Sequence, residues 1–444
     1  MLTFDLLPRQ EMAEQEDEGC VIIEIDTVLL ETMKAKLRDV DFAEESGERC
    51  TMYRILPSVR DKDSEDYDPK AVSIGPLHAG KKTLELMESL KWRYLRDLLR
   101  RCPDDQGMLE RYINKVRELE VQARKKYAEA VEPDSDAFVQ MMVVDACFII
   151  EFLIKWNYGS IDLDASKCNL RLLRNDLMLL ENQIPFFILH SLFELSNIRL
   201  PHFEDEDIPI TLMKLARSYV ADEYENFLAI LEPENVRHLL HLFHLSFHPT
   251  PSQSIMTAPS CRHMVMSTTK KIRNWASGCF FWLLSSFLCC RLLPKCSKYH
   301  HRQLTDERLR LLSYLPSATK LEESGVKFKR KEAMSLLDVT FRDGVLEIPL
   351  LSIDSKTAPK FRNLIAFEQY CPTAGKYFTS YAALLDSLVD TPKDVAVLKK
   401  YGVIDSKLSQ DDKVADLFNS IDKGAYLNYW THHFAKLFEE VNQY

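Results

Sequence analysis

The sequence predicts a single, mainly α-helical domain with a small β element, which is a helix-dominated α+β fold. Only 12 of the 444 residues are glycine, which is few for an all-β fold or a glycine-rich nucleotide-binding fold. Several long segments place apolar residues at the three- and four-residue spacing of a helix. Because 46% of the residues are hydrophobic, a chain of this length can bury a large core.

Residues 1–50 are expected to form an acidic leader with one amphipathic helix at residues 27–40. The first eighteen residues contain no long apolar run, so no secretory signal peptide is expected. Eleven cysteines without a C-x-x-C pair disfavour zinc-ribbon and thioredoxin chemistry. These features predict a reducing compartment, either the cytoplasm or the cytoplasmic face of a membrane.

The main body is predicted at residues 51–248 and 303–430. Its first part carries a strand at 71–74, a helix at 84–101 capped by Thr83, a charged helix at 109–130, a helix at 138–155 capped by Asp136, and helices at 211–231 and 236–247. Its second part carries strands at 325–329, 336–341 and 345–348, a turn at Asp343-Gly344, and helices at 361–369, 377–389, 392–401 and 411–419. The helix at 138–155 is apolar on most sides, which predicts that it is buried.

A polar triplet interrupts the apolar segment at residues 177–189, and we call Glu181, Asn182, Gln183 and Pro185 the polar elbow. Buried polar side chains need hydrogen-bond partners, and Pro185 lacks an N–H, so a helix should begin or kink there. We therefore expect a structural elbow between two core helices. Its side chains should bond to backbone groups that Pro185 leaves unpaired. Replacing Asn182 with leucine should therefore lower the stability of the fold by about 1–3 kcal/mol.

Residues 249–302 read as a basic, cysteine-rich, apolar insertion. From residue 235 to residue 305 there are nine Lys or Arg and no Asp or Glu, although the whole chain carries a net charge of −10. The overall acidity argues against nucleic-acid binding. The segregated positive charge instead favours an anionic membrane surface as a partner.

The centre of the insertion, residues 275–290, is the predicted membrane contact. Its candidate contact residues are Trp275, Phe280, Phe281 and Trp282, with Cys289 and Cys290 as candidate palmitoylation sites. Sixteen residues of mixed polarity are too few to span a bilayer, which needs about 20. Aromatic residues with basic flanks are typical of an interfacial segment, but a buried helix or a disordered insertion remains an alternative.

Two further sequence patterns resemble ligand-binding sites, one for phosphate and one for a metal ion, but neither is expected to bind its ligand. Residues 75–83 are one position away from a phosphate-binding loop, yet Lys82 replaces the required hydroxyl and Pro76 removes an N–H. His238, His241, His244 and His248 cannot all converge from one helix, and no carboxylate is expected nearby to orient their imidazole rings. We expect a polar helix edge there, and no metal, nucleotide or other cofactor.

Four carboxylates lie inside apolar runs, and they carry the alternative hypothesis of an enzyme: Asp145, Glu151, Glu181 and Glu368. Buried acids more often pair with Arg or Lys or cap a helix. We expect Arg362 to pair with Glu368, and we predict no catalytic residue. A pocket in which two of these acids face each other with perturbed pKa values would favour the enzyme.

Several blocks, in this order, resemble the plant family called domain of unknown function 247. They lie at residues 73–80, 86–95, 141–151, 180–187, 318–328, 361–369 and 379–381. The sequence departs from the usual blocks at Leu77, Ala79 and Ala146, where tyrosine, histidine and glycine are usual. The resemblance covers residues 53–418.

The resemblance implies a plant origin, one family domain and no known catalytic residue. It also implies a C-terminal membrane anchor, and some grass members are linked to pollen self-incompatibility. Residues 431–444 contain no apolar span, so we expect the usual anchor to be missing. The resulting hypothesis is a non-enzymatic recognition or signalling module that binds a protein partner at a membrane surface.

Overall fold

A computed structural model describes residues 27–45, 50–60, 64–103, 105–158, 170–198, 211–220, 232–248, 314–333 and 335–444. Residues up to Arg49 and residues from Cys50 onward form two separate units. The described part of the first unit is helix α1 (Thr27–Glu45), which extends five residues beyond the predicted end. Its apolar side chains Leu29, Met33 and Leu37 are exposed.

Helices form most of the described chain beyond Cys50. They are α2 (Pro57–Arg60), α3 (Glu85–Leu99), α4 (Asp105–Arg124), α5 (Ser135–Asn157), α6 (Leu170–Asp176), α7 (Phe186–Ser196), α8 (Leu212–Val220), α9 (Leu239–Leu245), α10 (Ala318–Glu323), α11 (Thr357–Tyr370), α12 (Tyr377–Leu388), α13 (Pro392–Lys400), α14 (Asp411–Ile421) and α15 (Ala435–Gln443). The strands are β1 (Lys327–Lys331), β2 (Thr340–Arg342), β3 (Val345–Pro349), β4 (Leu351–Ile353) and β5 (Ile404–Ser406). The predicted helix-dominated α+β class is confirmed.

Helix α5 is the centre of the core, as its apolar composition predicted. It packs against α3, α4, α7 and α8, and every residue from Met142 to Lys155 is buried. By length and composition it is the one helix in the described residues that could cross a membrane, but most of it is covered by these neighbours. Its cap is Asp134, which accepts the Ala137 N–H at 2.8 Å. The predicted cap, Asp136, instead pairs with Arg117 at the surface.

The small β element consists of a three-stranded and a two-stranded sheet. In the first, β3 is central, parallel to β1 and antiparallel to β2; in the second, β4 pairs in parallel with β5. The predicted turn at Asp343-Gly344 joins β2 to β3, and both residues have positive φ, as a tight hairpin requires. Gly344 has φ +73°, a conformation in which a side chain is strained, so glycine is favoured there.

Helix α13 is tied to α10 through the carboxylate of Asp394. This carboxylate accepts the Thr319 N–H at 2.8 Å, and it accepts the Thr391 N–H and hydroxyl, also at 2.8 Å. Burial by itself would raise the pKa of Asp394, but these hydrogen bonds outweigh it and lower the pKa to about 2. The charged form is therefore the one that the fold stabilises.

Asp394→Asn is expected to lower the free energy of unfolding at pH 7 by about 1–2 kcal/mol, because the amide cannot accept all three bonds. Since the folded pKa lies below the unfolded value of about 3.9, the stabilisation is present above pH 4 and is lost as the pH falls through the folded pKa. Urea unfolding of parent and variant at pH 7 and pH 3 should show a smaller difference at pH 3. Asp412→Asn, at an exposed first-turn position of α14, is the matched control. A difference that is the same at both pH values would contradict the prediction.

Candidate functional site

The polar elbow connects α6 to α7, and Asn182 makes its densest set of contacts. The Asn182 Oδ1 accepts the Ile74 N–H at 2.7 Å, and its Nδ2 donates to the carbonyl oxygens of Val72 and Asp176 at 3.0 and 2.9 Å. The side chain is fully buried. It therefore joins the elbow to an extended segment more than one hundred residues earlier in the chain.

That extended segment, residues 70–75, contains the predicted strand at 71–74, and this prediction was wrong. Side chains bind its N–H groups where a neighbouring strand would. The Asp176 carboxylate accepts from Lys70, Ala71 and Val72 at 2.6–3.0 Å. Because these partners are distant in sequence, the local pattern could not distinguish this arrangement from a strand.

Gln183 and Pro185 complete the elbow. The Gln183 Nε2 donates to the carbonyl oxygens of Leu177 and Leu179 at 2.8 and 2.9 Å, and its Oε1 accepts the Leu240 N–H. Pro185 stands immediately before the first residue of α7, as the sequence predicted for a helix start. The Asn182 and Gln183 side chains thus bond to backbone groups of distant residues and of residues 176–179 just before the elbow, and not to groups that Pro185 leaves unpaired.

Glu181 lies in a buried cluster of charged and polar groups. Its Oε1 accepts the Ile55 N–H and pairs with Arg60, each at 2.5 Å, and its Oε2 lies 3.3 Å from the His78 Nε2. Burial acts to raise the pKa of Glu181, but His78, the Ile55 N–H and Arg60 outweigh it and lower the pKa. The acid is therefore held as a carboxylate, and its partners come from Ile55, from α2 and from the 70–80 region.

Asp145 and Glu151, both on α5, also form ion pairs with basic side chains. Asp145 pairs with Lys91 at 2.7 Å, and Glu151 receives two parallel bonds from Arg101 at 2.8 and 2.9 Å. Burial raises the pKa of both carboxyls, and the neighbouring cations oppose it. Bidentate pairing of this kind is a stable arrangement for a buried acid.

Residues 75–83, which are close to a phosphate-binding loop in sequence, bond to the protein's own Asp145. The Asp145 Oδ2 accepts the Gly75 N–H at 2.7 Å, and residues 76–78 and 82–84 form short 3₁₀ turns. A Cβ at Gly75 would lie 2.6 Å from the Gln183 carbonyl oxygen. The glycine is thus required for close packing against the elbow.

Glu368 is fully buried at the end of α11 and caps the next helix, α12. Its carboxylate accepts the Phe378 and Thr379 N–H groups, both at 2.8 Å, and the Thr379 hydroxyl at 2.7 Å. The His244 Nε2 lies 2.7 Å from it. The predicted partner was wrong: Arg362 pairs with Asp66.

The histidines of α9 do not form a polar helix edge, and that prediction was also wrong. His238, His241 and His244 are buried, and His238 accepts the His241 N–H at the start of the helix. Burial lowers the pKa of His238 and of His248 to about 3, so both are neutral at pH 7. Among the described residues, no group of three His, Cys, Asp or Glu side chains is placed to hold a metal ion.

A cavity of about 190 Å³ lies where α6, α8 and α9 meet the start of α11 and the ends of β4 and β5. Its described lining residues include four basic residues, Arg174, Lys356, Lys360 and Lys407, and one carboxylate, Asp354. None of the four carboxylates proposed for catalysis is among its described lining residues. We call this the basic cavity, and it is the candidate functional site.

Sequence reasoning missed the basic cavity because its residues are spread from position 174 to position 407. The sequence carried little signal, because the predicted helix at 361–369 left Lys356 and Lys360 outside it, whereas α11 begins at Thr357 in the structure. The predicted membrane-contact residues, from Trp275 to Cys290, lie outside the described residues.

The sequence model of DUF247, described as a plant protein of unknown function, matches residues 52–444. The chain belongs to the DUF247 family. The match confirms the predicted resemblance and extends it to the last residue of the sequence.

Two curated proteins of Arabidopsis thaliana are similar to this DUF247 chain over most of its length. UPF0481 protein At3g47200 is 26% identical, covering 89% of this chain and 77% of its own length. Putative UPF0481 protein At3g02645 is 23% identical, covering 92% and 85%. No solved structure matches the chain. The DUF247 assignment therefore identifies the family, whose description names no function.

Proposed function

We propose that this DUF247 protein is a non-catalytic recognition module that binds a protein partner at an anionic membrane surface, on the cytoplasmic side. The observation that carries the proposal is the segregation of charge. Residues 235–305 contain nine basic and no acidic residues in a chain of net charge −10. An acid-free segment is attracted to anionic lipids, while the acidic remainder disfavours nucleic acid.

The pairing of the four buried carboxylates with other groups of the protein supports a binding role rather than a catalytic one. Each of the four has a cationic or helix-terminal partner at 2.5–2.9 Å. A general acid or base must reach a substrate, whereas these groups are bonded to other groups of the protein and are not among the described residues that line the basic cavity. Their geometry is that of structural ion pairs and helix caps.

The aromatic centre of the insertion supplies the membrane contact. Six basic residues frame residues 275–290, and each contributes about 1 kcal/mol near an anionic surface. Acylation of Cys289 or Cys290 would strengthen attachment. One acyl chain alone gives marginal membrane binding, whereas an acyl chain together with a basic patch gives stable binding. Attachment is therefore reversible and sensitive to salt.

Vesicle flotation of the intact chain tests this proposal. The protein should float with vesicles of phosphatidylcholine and phosphatidylserine at low salt, and it should leave them at high salt. Replacing the six framing residues by glutamine should abolish flotation; they are Lys270, Lys271, Arg273, Arg291, Lys295 and Lys298.

The control variant removes the same charge from exposed positions of the described domain: Lys82, Arg93, Arg100, Lys320, Lys393 and Lys413. It should float as the parent does. If the parent stays in the soluble fraction at low salt, or if both variants lose flotation equally, attachment through the insertion is wrong.

A further inference from the structure

The segment that joins α14 to α15 presents three aromatic side chains to solvent. The exposed fraction is 73% for Tyr426, 39% for Tyr429 and 43% for Trp430. The segment is held against the domain, because the Tyr426 N–H donates to the Gln369 Oε1 at 3.0 Å and the Tyr429 ring packs nearly at right angles to the His432 ring, 6.1 Å between centres. Exposed aromatic side chains grouped on a fixed segment are typical of a protein-binding surface.

Helices α12 and α14 end close to each other where this aromatic segment begins. In the last turn of α14, the Asn419 Nδ2 donates at 3.1 Å to the carbonyl oxygen of Asp390, which stands two residues after the end of α12. Neither helix has a basic residue in its last turn. Because the C-terminal end of a helix carries a partial negative charge, the two adjacent ends favour a cation.

Three carboxylates stand at these helix ends in place of basic residues. Asp386 is in the last turn of α12, Asp390 follows that helix, and Asp422 directly follows α14. Burial raises the pKa of Asp386 to about 6, and the charges of Asp422 and Asp390 add to the rise, while the exposed Lys423 opposes it. Three carboxylates and one ammonium group leave a local charge of −2 among these described residues.

The acidic and aromatic groups adjoin. Burial raises the pKa of Tyr429, and the charges of Asp422 and Asp386 raise it further, so both acids act on this ring's hydroxyl. In the described part of the chain, no three His, Cys, Asp or Glu side chains are placed to hold a metal ion. The cation that fits is therefore organic, since aromatic faces and carboxylates both attract ammonium and guanidinium groups. We call these residues the acidic aromatic surface: Asp386, Asp390, Asp422, Tyr426, Tyr429 and Trp430.

We propose that the acidic aromatic surface binds an arginine- and lysine-rich segment of the protein partner. Guanidinium and ammonium groups contact the exposed rings, and the carboxylates supply the opposite charge. Charge complementarity selects this occupant, because the same carboxylates repel anionic lipid, and a second copy of this chain has a net charge of −10. The inference rests on the proposed function, since it names the chemistry of the protein partner.

Fluorescence anisotropy of a labelled peptide, titrated with the full-length protein at low salt, tests the proposal. The probe is a short synthetic peptide of alternating arginine and serine, and we expect a dissociation constant on the order of 10 µM. The same peptide with citrulline in place of arginine keeps the shape and loses the charge, so it should bind at least about tenfold more weakly. An arginine peptide that does not bind, or a citrulline peptide that binds equally well, would overturn the proposal.

A pair of aromatic variants locates the binding. Tyr426→Ala with Trp430→Ala removes two exposed rings and should weaken peptide binding about tenfold. The control is Trp92→Ala, which removes an exposed tryptophan from α3 and should leave binding unchanged. Equal affinities of the double variant and the control variant would show that the rings take no part.

A pair of acid variants tests the charge. Asp386→Asn with Asp422→Asn should weaken peptide binding about tenfold, whereas Asp412→Asn with Asp416→Asn, at exposed positions of α14, should change it less than about twofold. Because the first pair relieves repulsion between acids, that variant should unfold at no lower urea concentration than the parent, so its weaker binding is not a loss of the fold. Equal weakening by both pairs would mean unspecific attraction to an acidic chain and would overturn the assignment.

Vesicle flotation separates this inference from the proposed membrane attachment. A parent protein that binds the peptide but does not float contradicts attachment alone, and one that floats but does not bind the peptide contradicts the acidic aromatic surface alone. A variant lacking residues 270–298 should bind the peptide as the parent does. Binding that becomes about tenfold tighter in this variant would show that the chain's own basic insertion occupies the surface, and would overturn the assignment to a partner.

Discussion

Replacing Asn182 with leucine is expected to lower the free energy of unfolding by about 3–6 kcal/mol. The substitution leaves the Ile74 N–H and the carbonyl oxygens of Val72 and Asp176 without their partner in a fully buried site. Each unsatisfied buried group costs about 1–3 kcal/mol. The effect exceeds the 1–3 kcal/mol expected from sequence because three groups, not one, depend on this side chain.

Urea unfolding followed by circular dichroism measures this loss. Asn114→Leu, at an exposed position of α4, is the matched control and should change stability by less than about 0.5 kcal/mol. An Asn182→Leu protein that is as stable as the parent but fails to bind a partner would show that the polar elbow is a recognition site and not a structural device.

Glu368→Gln is expected to lower the free energy of unfolding by about 3–5 kcal/mol, which is the second large effect. Glutamine keeps the size of the side chain but replaces one acceptor oxygen with an NH₂ group. The Phe378 N–H and the Thr379 N–H bind different oxygens of the carboxylate, so the NH₂ group would face one of them, donor against donor, at the start of α12. It would also remove the charge beside the buried His244.

The same unfolding measurement tests this prediction, with Glu110→Gln on the exposed side of α4 as the control. The control should remain within about 0.5 kcal/mol of the parent. A loss below about 1 kcal/mol for Glu368→Gln would mean that the α11–α12 junction does not depend on the carboxylate.

Features that depend on neighbouring residues could be predicted from the sequence. The apolar composition of α5 predicted its burial, Pro185 marked the start of α7, and Asp343-Gly344 predicted the hairpin turn. Helix periodicity, a missing N–H and a positive φ are properties of a few consecutive residues. The sequence also indicated the family, because several short blocks of residues each resemble the corresponding block of that family.

Only the tertiary structure decided which groups meet. The extended segment 70–75 looked like a strand because its residue types suit one, yet Asp176 and Asn182 bind its N–H groups across more than one hundred residues. Glu368 looked like a partner for Arg362, one and a half helical turns away on the same helix, but it faces α12. The basic cavity combines Arg174 with Lys407, and no local pattern connects them. The physical reason is that hydrogen bonds and charges act over a few ångströms in space, and chain folding alone determines which distant residues come that close.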